Sequence, residues 1–126
     1  MGERWPDVFL GSDLSAPDGY KLTKYRMSLG RSPATFQYEG TGRYRVVIIA
    51  EAYAAYGLFP ILSLSQDGRE VRKFYMNVPG EHIYSTVVTL APGKHTFSLL
   101  FENDYVSEYE SEDRNVFIRE VRLGRE

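Results

Sequence analysis

The chain contains no cysteine, which excludes disulfide bridges and metal sites built from thiolates. Histidine is scarce too, because only His82 and His95 occur, each near the start of a predicted strand and without a carboxylate pattern beside it. No nucleophile elbow, phosphate-binding loop or zinc-ligand spacing is present in the 126 residues. The sequence therefore shows no paired acid and base, and we expect the chain not to be an enzyme.

Long apolar runs are missing as well. Residues 1–30 lack the apolar segment of a signal peptide, and no stretch approaches the length of a transmembrane helix. The net charge of −2 argues against nucleic acid as a partner. We therefore expect neither membrane nor nucleic-acid binding. The chain is either cytoplasmic or a module of a larger exported protein, with an extracellular or cell-surface location.

Alternating apolar and polar residues recur in short segments, and no stretch of ten residues shows a helical period. Turn signals separate the segments at residues 40–42, 66–69, 79–80 and 91–94. Eight or nine short strands with regular turns predict an antiparallel β-sandwich forming one domain over residues 1–126.

Two segments allow more specific predictions about individual strands. Residues 46–49 are apolar on both faces, which is typical of a strand at the centre of a sandwich. In the last strand, Val116 and Ile118 share one face, whereas Val121 and Leu123 follow the opposite parity. A β-bulge near residues 119–120 would bring all four side chains to the same face.

Acidic residues are concentrated between two of these strands. The stretch follows the alternating run that ends at Phe101 and precedes the apolar run of residues 116–118. Without its six carboxylates the rest of the chain would carry +4 instead of −2. The six acidic residues are Glu102, Asp104, Glu108, Glu110, Glu112 and Asp113.

Both ends of this stretch adjoin a strand, so we expect Asp104 and Asp113 to lie close together. Crowded carboxylates repel one another unless a cation or a change in pKa relieves them, and calcium prefers six to eight oxygen ligands. Two alternatives stay open. The stretch is a solvated loop, or two of its carboxylates perform glycosidase chemistry, which needs a walled cleft.

The motifs at the two ends resemble those of the calcium-dependent xylan-binding carbohydrate-binding modules of families thirty-six and sixty. Residues 101–105 read Phe-Glu-Asn-Asp-Tyr, and residues 112–118 read Glu-Asp-Arg-Asn-Val-Phe-Ile. Those families carry Asn-Asp-Tyr followed after a short loop by Asp-Arg-Asn-Leu-Tyr-Val. Residues 42–47, 57–60 and 67–68 are similar, in the same order, to the family's Gly-x-Tyr strand, Gly-x-Trp-Pro-type loop and Asp-Gly hairpin.

The resemblance implies a β-jelly roll that binds a polysaccharide, with calcium as cofactor and sugar hydroxyls completing the metal shell. The motif match makes Asp104 and Asp113 the candidate metal ligands, and Glu112 is a further candidate. The candidate sugar-binding residues are Tyr56, Tyr109, Asn103 and Asn115. The aromatic rings of this set would stack on sugar, and its amides would brace the loop by hydrogen bonds.

One position departs from the family pattern. Arg119 stands where family members often have Asp, and a guanidinium cannot ligate a cation. We therefore expect no second, structural calcium near the termini, and we expect Arg119 to pair with an acidic residue. The main rival to glycan binding is a jelly-roll interaction module that binds calcium or a protein but no glycan.

Overall fold

Antiparallel strands make up nearly all the regular structure of this computed structural model. The structure describes residues 7–17, 20–21, 26–30, 32–55, 57–103, 105–106 and 113–126. Its only helical element within those ranges is the 3-10 turn Gly11–Asp13. The strands are β1 (Asp7–Leu10), β2 (Tyr20–Lys21), β3 (Met27–Ser28), β4 (Ala34–Tyr53), β5 (Ile61–Gln66), β6 (Arg69–Tyr75), β7 (Gly80–Phe101), β8 (Tyr105–Val106) and β9 (Asp113–Arg125).

Strand β4 is central to the architecture. The strands follow the order β2-β3-β9-β4-β7-β5-β6, and β1 and β8 also pair with β9. Every pairing is antiparallel. The fold is an antiparallel β-sandwich of the jelly-roll type, which confirms the predicted fold class. No helix in the described part of the chain has the length and apolar character needed to cross a bilayer.

The apolar run in β4 is buried on both faces. Val46 and Ile48 are fully buried, and Val47 and Ile49 on the opposite face are each only 8% exposed. Since β4 pairs with β7 on one side and β9 on the other, neither edge of this run is free. The prediction of a central strand at residues 46–49 is confirmed.

Two predicted turns are wrong. Residues 40–42 and 91–94 lie inside the long strands β4 and β7, which pair with each other along both halves. The register shifts between Gly40 and Gly42, and Gly93 pairs with Gly40. Gly42 and Gly93 have φ angles of 104° and 123°, a region that glycine adopts without strain. Glycine therefore marks a β-bulge here, where both strands change register together, rather than a chain reversal.

The phase break in β9 is a bulge, as predicted. Ile49 pairs with Glu120 and Ala50 pairs with Ile118, so Arg119 is the extra residue. The bulge restores the inward direction of the later apolar residues. The four side chains named for this strand are all fully buried: Val116, Ile118, Val121 and Leu123.

The core lies between the two layers and is rich in aromatic rings. Phe97 is fully buried and stacks on Phe36, with ring centroids 5.2 Å apart. Phe9 of β1 packs on the same Phe36 ring at 4.7 Å. Burying a side chain of this size contributes about 1.5–3 kcal/mol. These contacts join the short first strand to the strands that carry the rest of the fold.

The turn at residues 66–69 is a tight hairpin between β5 and β6, as predicted. Asp67 and Gly68 both have positive φ angles, 52° and 82°, as a two-residue type I′ turn requires. The alternation of residues 20–29 predicts one continuous strand with Tyr25, Met27 and Leu29 inward, and the prediction of one continuous strand is wrong. The segment instead contains the two short strands β2 and β3, which pair antiparallel with each other, so the chain reverses between them. Residues 22–25, including the predicted inward-facing Tyr25, lie outside the described residues.

Candidate functional site

The two ends of the acidic stretch are paired backbone to backbone. In the β8–β9 ladder, Tyr105 lies opposite Arg114 and Val106 lies opposite Asp113. The same strand β9 pairs with central strand β4, where Asn115 lies opposite Tyr53. The stretch is therefore closed at its base and attached to the centre of the fold, as the strands at both of its ends predict.

The structure describes only part of the predicted site. Asp104, Glu112, Tyr56 and Tyr109 lie outside the described residues. The backbone of Asp113 is in the β8–β9 ladder, but its side chain lies outside the described part. The ligand roles of Asp104, Asp113 and Glu112 and the stacking roles of the two tyrosines therefore stay predictions.

Asn103 is described, and it braces a loop. Its side-chain nitrogen donates to the carbonyl oxygen of Phe59 at 3.0 Å. Its side-chain oxygen accepts from the backbone N–H of Ile61 at 2.7 Å. The amide thus holds residues 59–61 against the end of β7. The shorter of the two hydrogen bonds joins residues that are 42 positions apart in the sequence. The bracing role expected of Asn103 is present; direct contact with sugar stays a prediction.

One of the six acidic residues is neutralised by a lysine that the sequence did not indicate. Glu102 accepts a hydrogen bond from Lys73 Nζ at 2.9 Å, and Glu70 lies 3.7 Å from the same nitrogen. The hydrogen bond to Glu102 raises the pKa of Lys73. Glu102 thus belongs to an ion pair between β6 and the end of β7.

Arg119, the extra residue of the β9 bulge, pairs with acidic residues as expected. Its guanidinium donates to Glu81 at 2.9 Å, and Glu120 lies at 4.0 Å. A second charged group on the β4 and β9 face was missed. Glu51 is only 9% exposed and lies 2.7 Å from Arg26. The sequence does contain a signal for this buried charge, because the glutamate directly follows the buried apolar residues 46–50 of β4.

Tyr53 completes the Glu51 group. Its hydroxyl donates to Glu51 at 3.0 Å, and this hydrogen bond raises the pKa of Tyr53. The Tyr53 ring packs against the ring of Phe117, with the two ring centroids 5.9 Å apart. Asn115, the register partner of Tyr53, is half-buried on β9 beside this group. Its contact with sugar stays a prediction.

His95 has a carboxylate partner, contrary to the expectation from sequence. Its Nδ1 lies 2.6 Å from Asp67 in the β5–β6 turn, and its Nε2 lies 2.6 Å from the carbonyl oxygen of Ala91. The hydrogen bond to Asp67, followed by that to Ala91, raises the pKa of His95, and the pKa of Asp67 is lowered. Asp67 is 28 positions away, so only the fold reveals the pair. With both ring nitrogens occupied, His95 fits a structural role, not that of a base.

The acidic stretch is rich in side chains that can donate oxygen ligands to a metal ion. Across the side chains that the structure describes, no three His, Asp or Glu residues are grouped to hold a metal ion. Carboxylate and carbonyl oxygens are the ligands that calcium prefers, and residues 104–113 carry five carboxylates. The chemistry of that segment therefore suits a hard cation.

No protein-family model matches the sequence, and no curated protein is detectably similar to it. Solved structures are similar in fold. One is the family GH115 4-O-methyl-α-glucuronidase BtGH115A, with specificity for decorated arabinogalactans. It is 13% identical in sequence to this chain, and the two structures superpose with a TM-score of 0.73. The match covers 100% of this chain but 18% of that enzyme.

Two further matches are modules of the same length as this chain. The CBM36-1 domain of a multidomain xylanase from the hindgut metagenome of Trinervitermes trinervoides is 12% identical, with a TM-score of 0.71. Coverage is 94% of this chain and 95% of that module. The carbohydrate-binding module CBM36 in complex with calcium and xylotriose is 11% identical, with a TM-score of 0.68 and coverage of 94% and 99%.

The fold is that of the carbohydrate-binding modules. Modules described as families 35 and 6, from Clostridium thermocellum and Cellvibrio mixtus, share it at TM-scores of 0.60 and 0.61. This agrees with the carbohydrate-binding-module fold that the resemblance implied. Identities of 9–12% establish a shared fold, and the ligands of those modules remain properties of those proteins.

Proposed function

We propose that this chain is a non-catalytic module that binds a polysaccharide in a calcium-dependent manner. The observation that carries the proposal is the pairing of β8 with β9, which closes the acidic stretch at its base beside central strand β4. A closed base fixes the start and the end of a segment dense in carboxylates, and a bound cation would relieve the repulsion among them.

Asp104, Asp113 and Glu112 are the proposed calcium ligands. Calcium, when bound, supplies a hard positive centre for which neighbouring sugar hydroxyls are suitable oxygen ligands. The chain itself contributes a scaffold for this site, because Asn103 ties residues 59–61 to the strand end next to Asp104. Tyr56 and Tyr109 are the proposed stacking residues.

A xylan-like glycan is the class of ligand that we favour. The resemblance of residues 101–105 and 112–118 to xylan-binding modules supports it, as does the shared fold with a module in complex with calcium and xylotriose. We further propose that residues 1–126 form one module appended to a larger exported protein, which would place it outside the cell. The match to a glucuronidase covers 100% of this chain but only 18% of that enzyme, which fits a module within a longer chain.

Calorimetric titration with calcium tests the metal site. The wild type is expected to bind calcium, and Asp113→Asn is expected to lose binding while keeping its side-chain shape. Glu39→Gln is the matched control, since Glu39 is an exposed acidic residue of β4 outside the stretch. Identical titration of the wild type and Asp113→Asn would show that Asp113 is not a ligand.

Retention on insoluble xylan, with calcium and with chelator, tests the glycan. Calcium-dependent retention supports the proposal. Calcium uptake without retention on xylan or on any polymer of a glycan array would favour the interaction module instead. A wild type that takes up no calcium but binds xylan would place recognition away from the acidic stretch.

A further inference from the structure

A groove runs beside the brace formed by Asn103. It has a volume of about 380 Å³, within the range of small-molecule sites. One wall is the segment before β5, and the other is the end of β6 with the two residues that follow. The lining residues are Gly57, Leu58, Phe59, Pro60, Ile61, Tyr75, Met76, Asn77 and Asn103.

Backbone hydrogen bonds hold both walls in place. Met76 N–H donates to the carbonyl oxygen of Pro60 at 3.1 Å, which joins the β6 wall to the opposite wall. Glu102 N–H donates to Ile61 at 2.9 Å. With the two bonds of Asn103, four hydrogen bonds fix the groove without any ligand. A site with fixed walls has a lower entropic cost of binding.

Two large apolar side chains line this groove while exposed to solvent. The Tyr75 side chain is 68% exposed and Leu58 is 61% exposed. Tyr75 shares a face of β6 with Lys73, two residues earlier, because side chains alternate along a strand. The ring therefore lies on the same face of β6 as the lysine that forms the ion pair with Glu102.

A sugar ring matches this combination. Its C–H face packs on an aromatic ring, and its rim of hydroxyls needs donors and acceptors. The groove offers the Tyr75 ring, and it offers the exposed amide of Asn77 and the neighbouring ion pair as polar partners. Asn103 lines the groove, and in the sequence it directly precedes Asp104, one of the proposed calcium ligands.

We propose that this groove is an additional sugar-ring subsite, with Tyr75 as its stacking platform, that binds the part of a glycan extending beyond the calcium site. The proposal rests on the proposed function. On this proposal, Tyr75 makes the affinity depend on the length of the glycan, because a short oligosaccharide held at the metal does not reach the second site.

Calorimetry with xylobiose and xylohexaose in the presence of calcium tests the subsite. Tyr75→Ala is expected to weaken xylohexaose binding by about threefold to tenfold, the effect of one lost ring contact, and to leave xylobiose unchanged. Tyr75→Phe keeps the ring and is expected to bind as the wild type. Ile83→Ala is the matched control, because Ile83 is also 68% exposed but lies on β7 outside the groove.

Three outcomes overturn the proposal in distinguishable ways. If the wild type binds xylohexaose and Tyr75→Ala binds it equally well, the subsite is wrong and the proposed function survives. If the wild type binds no xylo-, manno- or cello-oligosaccharide, the proposed function fails and the subsite with it. If the wild type self-associates in sedimentation experiments, and Tyr75→Ala binds sugar normally but no longer self-associates, the subsite is wrong and the groove is a contact between copies of the chain.

Discussion

Replacing Asn103 by alanine tests the link between the brace and the stability of the fold. The side chain makes two hydrogen bonds with one loop, to the carbonyl oxygen of Phe59 and from the N–H of Ile61. Both are partly buried and bridge segments more than 40 positions apart. Alanine removes both at once and leaves two backbone groups without their partner.

The size of the effect follows from the two bonds. Each typical hydrogen bond contributes about 0.5–1.5 kcal/mol net, and a partly buried group left without a partner adds to the loss. We expect Asn103→Ala to lower the free energy of unfolding by about 2 kcal/mol. For a domain of this size that corresponds to a fall in Tm of roughly 8 °C.

Urea denaturation followed by circular dichroism measures this loss. Asn77→Ala is the matched control, because Asn77 lines the same groove and is exposed, with no hydrogen bond from its side chain among the described residues. That variant is expected to unfold within about 0.5 kcal/mol of the wild type. An Asn103→Ala variant as stable as Asn77→Ala would refute the bracing role of Asn103.

Two further predictions concern pH and affinity. The raised pKa of His95 means that its stabilising contribution is complete below about pH 6.5 and is lost as the pH rises through that raised value. Between about pH 6 and pH 9 the urea midpoint of the wild type should therefore fall more than that of His95→Gln, with His82→Gln matching the wild type. Short oligosaccharides should bind with Kd of about 10 µM to 1 mM, and chelator should abolish this binding; calorimetry that finds it unchanged in chelator would contradict a metal contact.

Period-2 patterning predicted the fold class because burial of one strand face repeats a local signal along the whole chain. The bulge at Arg119 was predictable for the same reason. Val116 and Ile118 on one parity and Val121 on the other cannot all be buried without an extra residue between them. Such features depend only on neighbours in sequence.

The glycines at positions 42 and 93 show where local signals fail. Each is typical of a turn, and each lies within a long strand, since two strands that bulge at the same level remain paired. Whether glycine reverses a chain or only shifts its register depends on the partner strand. That partner lies some 50 positions away, so the sequence alone favoured the wrong alternative.

The same limit applies to the polar groups around the site. Glu102 looked like one more member of an acidic stretch, but Lys73 neutralises it across the sheet. His95 looked isolated, but Asp67 reaches it from a hairpin turn. In both cases the charge partner is 28 or 29 positions distant and is selected by strand register.

Strand register also separates the carboxylates into two classes. Glu102 sits where β7 ends and faces β6, so its charge is already compensated by Lys73. The carboxylates from residue 104 to residue 113 follow, and the sequence offers them no lysine or arginine before Arg114. The β8–β9 ladder joins the two ends of this segment. A bound hard cation would relieve the repulsion among these carboxylates at neutral pH without protonating carboxyl groups, whose ordinary pKa values lie near 4.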